Sequence, residues 1–248
     1  NHGREGRNTT PPEPLTPVVS QVSAVLAYTL DGLSIGKTGP TTPLNARHVI
    51  AAAGSIRSPG LLMRSKVPNP SGLLGQRTFL HPVCATVAVM PEAVEGWQGA
   101  PQSIYSDAYL WPDDPSDQRI GYKLEVTPLQ PVFALANFDK SMGASHAALV
   151  KRFPHMHSQI ALMRDGFDPQ STGGRVELQD DGSEVLDYPV SDYLREGFRR
   201  AMGSMMEVQF AAGAEYVLPW HLNGKPLRDL NSARAWLAEA DFADGAVQ

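Results

Sequence analysis

Cysteine is almost absent from this sequence, since Cys84 is the only one in 248 residues. A single cysteine excludes an intrachain disulfide and argues against a structural zinc site, which needs several thiolate or imidazole ligands. Cys84 is therefore expected to be a small buried apolar residue. The protein is therefore not one of the small disulfide-rich domains whose stability depends on several disulfides.

Long apolar runs and clusters of positive charge are also missing. No stretch approaches the roughly 18 apolar residues of a membrane-spanning helix. The net charge is −5, and without a basic cluster this argues against a nucleic-acid partner. The first residue is Asn1 rather than methionine, and no secretory pattern follows, so we expect the natural N-terminus to lie upstream. No compartment is assigned, although the cytoplasm is favoured.

What the sequence does contain is an informative stretch at residues 45–82. It opens with an apolar run at residues 48–53, whose small side chains predict a buried strand. Gly54 ends this run, and Ser58-Pro59 predicts a helix start, because serine is a good N-cap and proline is tolerated at the first helical position. In α/β proteins, a buried strand that turns into a helix brings backbone groups and a helix N-terminus close to an anionic ligand.

Strand patterns dominate the first three-quarters of the chain. Residues 18–30 are rich in β-forming residues and end at Asp31-Gly32, a hairpin turn signal. The clearest hairpin surrounds Asp180-Asp181-Gly182. The remaining predicted strands are residues 44–53, 82–90, 102–111, 119–126 and 157–164, and the hairpin strands are 173–178 and 184–188. The middle of the chain therefore reads as an antiparallel sheet.

The longest helix is predicted over residues 192–212, with Ser191 as its N-cap and Gly213 as its left-handed stop. Its apolar stripe is expected to fill the core, chiefly with methionines. These methionines are Met202, Met205 and Met206. Shorter helices are predicted over residues 231–240 and over residues 139–153, the latter with Met142, Leu149 and Val150 facing inward.

Five aromatic residues of the middle segment allow two interpretations. They could line an apolar ligand cavity, or they could form the ordinary core of this segment, which we favour. These residues are Trp97, Tyr105, Tyr109, Trp111 and Phe133. His155 and His157 alternate along the chain and make a poor metal pair, and His221 is expected at a surface or an interface. No metal site is predicted.

The stretch at residues 45–82 resembles the second sequence signature of the glucose-methanol-choline (GMC) oxidoreductases, a family of FAD-dependent alcohol oxidases and dehydrogenases. The matching segments are AAGSIRSPGLLMRS at residues 52–65, NPSGLLG at residues 69–75 and Leu80-His81-Pro82. Lys66 stands where the family usually has glycine, and Arg77-Thr78 replaces a common Asn-Leu. The Leu80-His81-Pro82 form is most similar to the long-chain (fatty) alcohol oxidase branch, and residues 162–214 resemble the family's C-terminal region.

The resemblance implies an incomplete two-domain flavoprotein of the α+β class, with an α/β portion of an FAD domain and a substrate domain built on an antiparallel sheet. Residues 1–17 are expected to be disordered or a loop, 18–81 part of the FAD-binding domain, 82–190 the substrate-binding domain, and 191–248 C-terminal helices that return toward the FAD domain. The family's glycine fingerprint for the FAD pyrophosphate is absent from this sequence. The chain is therefore interpreted as an internal fragment that by itself is inactive.

The cofactor that the resemblance implies is FAD, and the candidate contacts are Ala52, Ala53, Gly54 and Ser58. The three small residues would let the flavin approach the backbone, but close packing of a strand against a helix also requires small residues. Ser58 could contact the cofactor or serve as an N-cap alone. His81 is expected to make a structural hydrogen bond rather than to contact flavin or substrate.

The implied activity is oxidation of a primary alcohol, with a long-chain alcohol as the candidate, to the aldehyde. A neutral imidazole would take the hydroxyl proton while hydride passes to the flavin, and oxygen or another acceptor would then reoxidise it. No catalytic residue is assigned, because the family's histidine and its His or Asn partner are expected beyond residue 248. Two alternatives stay open, namely a non-catalytic protein that binds an apolar ligand or a partner, and another two-domain flavoprotein such as an amine oxidase.

Overall fold

The computed structural model of the chain describes residues 25–27, 42–44, 48–111, 113–114, 117–132, 134 and 143–243. The described residues divide between two compact units, one drawn from Asn1–Gly75 and Val176–Val185, the other from Gln76–Arg175 and Leu186–Gln248. The described chain combines helices with sheets whose strands pair antiparallel, so the predicted α+β class is confirmed. The predicted loop at residues 1–17 lies outside the described residues, and the predicted roles of the domains stay predictions.

In chain order the strands are β1 Val25–Ala27, β2 Thr42–Leu44, β3 Val83–Val89, β4 Tyr105–Ser106, β5 Tyr122–Thr127, β6 Met156–Met163, β7 Arg175–Leu178, β8 Glu184–Asp187 and β9 Tyr216–Pro219. The helices described in full are α1 Gly54–Arg64, α2 Ala144–Lys151, α3 Asp192–Ala211 and α4 Leu230–Glu239, with a short 3-10 helix at Phe153–His155. Strands β1 and β2 pair antiparallel, β7 and β8 form a hairpin, and the other five form one sheet in the order β4-β5-β6-β3-β9.

Residues 48–53 do not form the buried strand that their apolar composition predicts. Strand β2 ends at Leu44, and the run at 48–53 belongs to no strand and is exposed. Ile50, for example, is 87% exposed. A strand needs backbone hydrogen bonds to a neighbouring strand, and among the described strands none pairs with this run. The prediction is therefore wrong, because an apolar composition does not by itself supply a pairing partner.

The five-stranded sheet of the second unit is antiparallel throughout, and β3 lies between β6 and β9. Along β3, Cys84 and Ala88 belong to the core on one face of the sheet, whereas Val87 and Val89 belong to the core on the other face. Burial on both faces explains why β3 reads as a nearly continuous apolar run rather than an alternating one. The predicted burial of Cys84 is confirmed, since it is 0% exposed.

Helix α3 covers one face of this sheet and builds the larger core. Ser191 caps it by accepting a hydrogen bond from the Leu194 N–H at 3.4 Å, and Gly213 follows its end with φ of 93°. Its buried apolar side chains pack with residues of β5 and β6; they are Leu194, Phe198, Ala201, Met202, Met205 and Met206. The predicted capped helix with a methionine-filled stripe is confirmed.

The opposite face of the sheet carries a second, smaller core, and here the prediction about the aromatic residues is only partly right. Trp97 stacks on Phe153 with ring centroids 5.1 Å apart, so it packs as core. Tyr105 and Trp111 are 58% and 60% exposed, and Tyr109 is 40% exposed while stacking on Tyr122. They lie in short or irregular segments, because only two residues of the predicted strand at 102–111 pair with β5. Phe133 lies outside the described residues.

Two further expectations about single side chains are wrong. Val150, predicted to face inward, is 38% exposed on α2; Leu149 does pack against the smaller core, and Met142 lies outside the described residues. His221, expected at a surface, is buried because α4 and the segment after it cover its ring, which packs edge-on against Trp236. Its Nδ1 accepts from the Asn223 N–H at 3.0 Å, and its Nε2 lies 2.6 Å from the Asp241 carbonyl.

Two glycines of α3 should respond in opposite directions to the same substitution. A Cβ at Gly197 would overlap Cγ2 of Ile120 and lie 3.2 Å from Sδ of Met163, whereas a Cβ at Gly203 would meet Cδ1 of Leu237 at 3.4 Å. We expect Gly197→Ala to lower the free energy of unfolding by about 1–2 kcal/mol, because the clash outweighs the helix-propensity gain. Gly203→Ala should raise it by up to about 1 kcal/mol.

Urea unfolding of both variants, followed by far-ultraviolet circular dichroism, measures these changes. Equal effects of the two substitutions would contradict the packing of α3 described above.

Candidate cofactor-binding site

Helix α1 carries the predicted cofactor-binding residues, but it begins earlier than the sequence predicts. Its first residue is Gly54 and its N-cap is Ala53, so Ser58 and Pro59 lie inside the helix. The prediction that Ser58 is the N-cap is therefore wrong. Proline has no N–H to donate to the carbonyl four residues earlier. For this reason the sequence predicted that the helix begins at Pro59. Gly54 has a φ of 83°, which glycine adopts without the strain that a side chain would cause. This backbone conformation allows the helix to begin at Gly54 rather than at Pro59.

Ser58 nevertheless takes part in capping, from inside the helix. Its Oγ accepts a hydrogen bond from the backbone N–H of Ala53 at 2.9 Å. This bond satisfies the N–H of the N-cap residue itself. The hydroxyl thus holds the turn between the exposed run and the helix in place, whether or not it also contacts a ligand.

The N-terminus of α1 is open both sterically and electrostatically. The N-cap residue Ala53 makes no side-chain hydrogen bond to the helix, and the first turn of α1 contains no acidic residue. Ala52, Ala53 and Gly54 are exposed, and a Cβ placed on Gly54 would meet no atom within 4 Å. Because a helix N-terminus carries partial positive charge on unsatisfied N–H groups, it can accept a carbonyl or phosphate oxygen here.

The structure thus brings together the four residues predicted to bind the cofactor, Ala52, Ala53, Gly54 and Ser58, at one exposed helix end. Their chemistry suits a group with oxygen acceptors, since the site offers backbone donors, one hydroxyl and little side-chain bulk. Whether FAD binds them stays a prediction. His81, also considered as a contact, is exposed and belongs to the other unit.

The C-terminal half of α1 packs against the β7–β8 hairpin, which sequence reasoning did not connect with this site. Gly60 is buried, and a Cβ there would overlap Cγ of Glu184. Arg64 donates from Nη1 to the Gly182 carbonyl at 3.0 Å and forms an ion pair with Glu184 at 2.5 Å. A glycine within an otherwise helical run often marks such close packing, but the run itself does not reveal the partner.

Two cavities among the described residues of the second unit have charged side chains in their walls. One cavity, of about 340 Å³, is lined by Gln170, Tyr193 and Arg200 among others. Burial, chiefly, raises the pKa of Tyr193 to about 12. A second, of about 160 Å³, has Tyr109 and Trp111 in its wall together with charged residues. Charged linings do not suit an alkyl chain, so we assign no substrate site to either cavity.

Comparison with known proteins bears directly on α1. Residues 22–83 match the family model described as GMC oxidoreductase, and this segment contains the whole of α1. The segment that carries the predicted signature is thus similar to the GMC oxidoreductases. The resemblance drawn from residues 45–82 is thereby confirmed.

Individual relatives agree with this assignment. An uncharacterised GMC-type oxidoreductase found in two strains of Mycobacterium tuberculosis is 26% identical over 203 residues, which is 82% of this chain and 30% of that protein. A long-chain-alcohol oxidase of Arabidopsis thaliana is 23% identical over 192 residues, 74% of this chain and 24% of that protein. The chain thus spans about a third or less of the length of these curated relatives. Among its described residues, no helix is both long and apolar enough to cross a membrane.

The ion pair that anchors α1 should make stability depend on pH. The hydrogen bond from Arg64 lowers the pKa of Glu184, so the carboxylate stabilises the fold above its unfolded pKa of about 4.3, and this contribution is lost as pH falls through the lower folded pKa. With the two side chains 33% and 16% exposed, we expect Glu184→Gln to cost up to about 1 kcal/mol near neutral pH.

The difference between wild type and Glu184→Gln should shrink as pH falls through the lowered folded pKa of Glu184, as measured by urea unfolding from neutral to acid pH. The control is Asp180→Asn in the turn of the same hairpin, where the carboxylate is exposed and the difference should stay small at every pH. A Glu184→Gln penalty that persists at acid pH would show that the ion pair is not its cause.

Proposed function

We propose that the protein containing this chain is an FAD-dependent oxidoreductase that oxidises a primary alcohol to the aldehyde. The observation that carries the proposal is the family match over residues 22–83, whose described part includes the open N-terminus of α1. When bound, FAD supplies the two-electron acceptor for the carbinol hydride. The electrons then pass to oxygen or to another acceptor.

In this proposal, the residues at the start of α1 bind and orient the cofactor. The N-cap residue Ala53 provides no side-chain cap, and the first-turn N–H groups of α1 would donate to carbonyl or phosphate oxygens of the cofactor. Ala52, Ala53 and Gly54 admit a close approach to the backbone because they carry little or no side chain. Ser58 holds this turn through its bond to the Ala53 N–H.

The second unit is the proposed substrate-binding part of the protein. Its five-stranded antiparallel sheet has helix α3 on one face, and the other face carries a smaller apolar core. A long-chain alcohol is the proposed substrate because one relative is named a long-chain-alcohol oxidase. We assign the base to no described residue: His221, for example, already has both ring nitrogens in contact with backbone groups.

The experiment that tests this function uses the intact protein. Its visible spectrum should show oxidised flavin, and anaerobic addition of alcohols should bleach it. A series of primary alcohols of increasing chain length, with the matching alkanes as controls, would identify the preferred substrate. Absence of flavin, or flavin that no alcohol bleaches, would refute the proposal.

The role of α1 can be tested separately with two matched glycine substitutions. Gly54 and Gly213 both have positive φ, 83° and 93°, and a Cβ at either would meet nothing within 4 Å. Both alanine variants therefore carry similar backbone strain, but only Gly54→Ala adds bulk where the cofactor is proposed to bind. We expect Gly54→Ala to weaken flavin binding about tenfold, a loss of roughly 1.4 kcal/mol, and Gly213→Ala to leave it unchanged.

The flavin dissociation constant of each variant, from the recovery of flavin fluorescence on dilution, measures this difference. Equal flavin affinity in the two variants would show that the N-terminus of α1 does not bind the cofactor.

One observation favours a second candidate function. The run at residues 48–53 is exposed, with Val49 41% and Ile50 87% exposed, and exposed neighbouring apolar side chains are typical of contact surfaces. A non-catalytic protein that binds an apolar ligand or a partner would keep this surface without any flavin. The flavin spectrum of the intact protein distinguishes the two functions.

A further inference from the structure

Helix α1 and the β7–β8 hairpin belong to the same compact unit although they are far apart in the sequence. Residues Val176–Val185 are grouped with the described part of Asn1–Gly75, and Arg64 and Glu184 are separated by 120 positions. Loop closure over such a distance costs entropy, so the contacts that join the two segments must be favourable. Among the described residues, contacts at Gly60, Arg64 and Gly75 join them.

The first contact depends on the absence of a side chain at Gly60. A Cβ at this position would overlap Cγ of Glu184 and lie 2.6 Å from its Oε1. The stem of Glu184 therefore lies directly on the helix backbone. This close approach leaves Glu184 half-buried and limits the directions in which its carboxylate can point.

The second contact is a charged one at the end of the helix. Arg64 Nη1 donates both to the Gly182 carbonyl at 3.0 Å and to Oε1 of Glu184 at 2.5 Å. One guanidinium nitrogen thus binds the turn and the second strand of the hairpin together. Because the Glu184 side chain is only 16% exposed, solvent screens this pair less than it screens a fully exposed ion pair.

The third contact joins the loop after α1 to the first strand of the hairpin. The Val176 N–H donates to the Gly75 carbonyl at 2.7 Å, and Val176 is 1% exposed. A Cβ at Gly75 would overlap Cε of Met63 and lie 2.7 Å from the Val176 carbonyl. The last turn of α1 and the hairpin therefore share one packed region.

The charge of Glu184 also reaches the other half of the helix. Besides the hydrogen bond from Arg64, the positive charge of Arg57 contributes to lowering the pKa of the Glu184 carboxyl. Arg57 precedes Ser58, which holds the turn at the helix start. The positive charges of Arg64 and Arg57 on α1 thus both favour the ionised form of Glu184.

We propose that Glu184 is a positioning residue for the cofactor, because it holds α1 against the hairpin so that the helix N-terminus keeps the orientation required for binding. This inference rests on the proposed function, since it assumes that the cofactor binds at the start of α1. The hairpin Val176–Val185 then acts as a clamp on the cofactor helix. By thermodynamic reciprocity, bound cofactor must in turn stabilise the hairpin.

The test compares two neutralising substitutions on the same hairpin in the intact protein. Glu184→Gln removes the charge that contacts α1, whereas Asp187→Asn removes a charge that pairs with Arg175 at 3.1 Å instead. We expect Glu184→Gln to weaken flavin binding by about fivefold to tenfold, within the usual range of coupling between sites. Asp187→Asn should leave the affinity unchanged.

A second pair of variants separates loss of charge from loss of fold. Arg64→Met should weaken flavin binding as Glu184→Gln does, whereas Arg64→Lys should keep most of the affinity, because a lysine ammonium can still donate to both partners. Amide hydrogen exchange provides a readout independent of activity. Removing flavin from the wild type should speed exchange in residues 176–185, and in Glu184→Gln this response should be reduced.

Each outcome decides the inference. A wild type that binds flavin, with Glu184→Gln binding equally well or the hairpin showing no exchange response, would overturn the clamp and leave the proposed function intact. A wild type without flavin would refute the proposed function and the clamp with it. Equal loss of affinity in Glu184→Gln and Asp187→Asn would show a general effect of the hairpin's charge and would also overturn the role of Glu184.

Discussion

Two helices pack closely against their neighbours because a glycine, which has no side chain, lies at each contact. The position of each helix depends on this close packing. In the second unit, Gly197 allows α3 to lie against Ile120 and Met163 of the sheet region, which buries the methionine stripe of the helix. In the first unit, Gly60 allows α1 to lie against Glu184. In both places the helix surface has no room for one additional methyl group, as expected of interiors packed at crystal density.

Close approach at Gly60 has an electrostatic consequence for α1. The helix ends in Arg64, whose positive charge suits a helix C-terminus, and this charge is matched by Glu184 from the hairpin. At the N-terminus, the first turn has no acidic residue and the N-cap residue Ala53 provides no side-chain cap. Among the described residues the two ends therefore differ, because a carboxylate pairs with the charge at the C-terminal end and none lies in the first turn. This asymmetry supports our placing the cofactor at Ala52–Ser58 rather than elsewhere on the unit.

The patterns that predicted α3 and the β7–β8 hairpin were local and strong. Ser191 and Gly213 bounded α3 because capping depends on side chains adjacent in sequence, and the turn at Asp180-Asp181-Gly182 identified the hairpin for the same reason. Predictions failed where the outcome depended on distant neighbours. The run at residues 48–53 has no described strand beside it, His221 is covered by α4 and the segment after it, and Trp111 lies in a segment that leaves it exposed.

By itself, the sequence determined the resemblance to the GMC oxidoreductases, the α+β class and the position of the candidate cofactor segment, because motif residues at 52–65 and hydrophobic periodicity are read along the chain. Only the tertiary structure decided that α1 begins at Gly54, that Ser58 acts from within the helix, and that Glu184 holds the helix through Gly60 and Arg64. The physical reason is that packing and ion pairing act between residues that are close in space, and a separation of 120 positions leaves no periodic trace in the sequence.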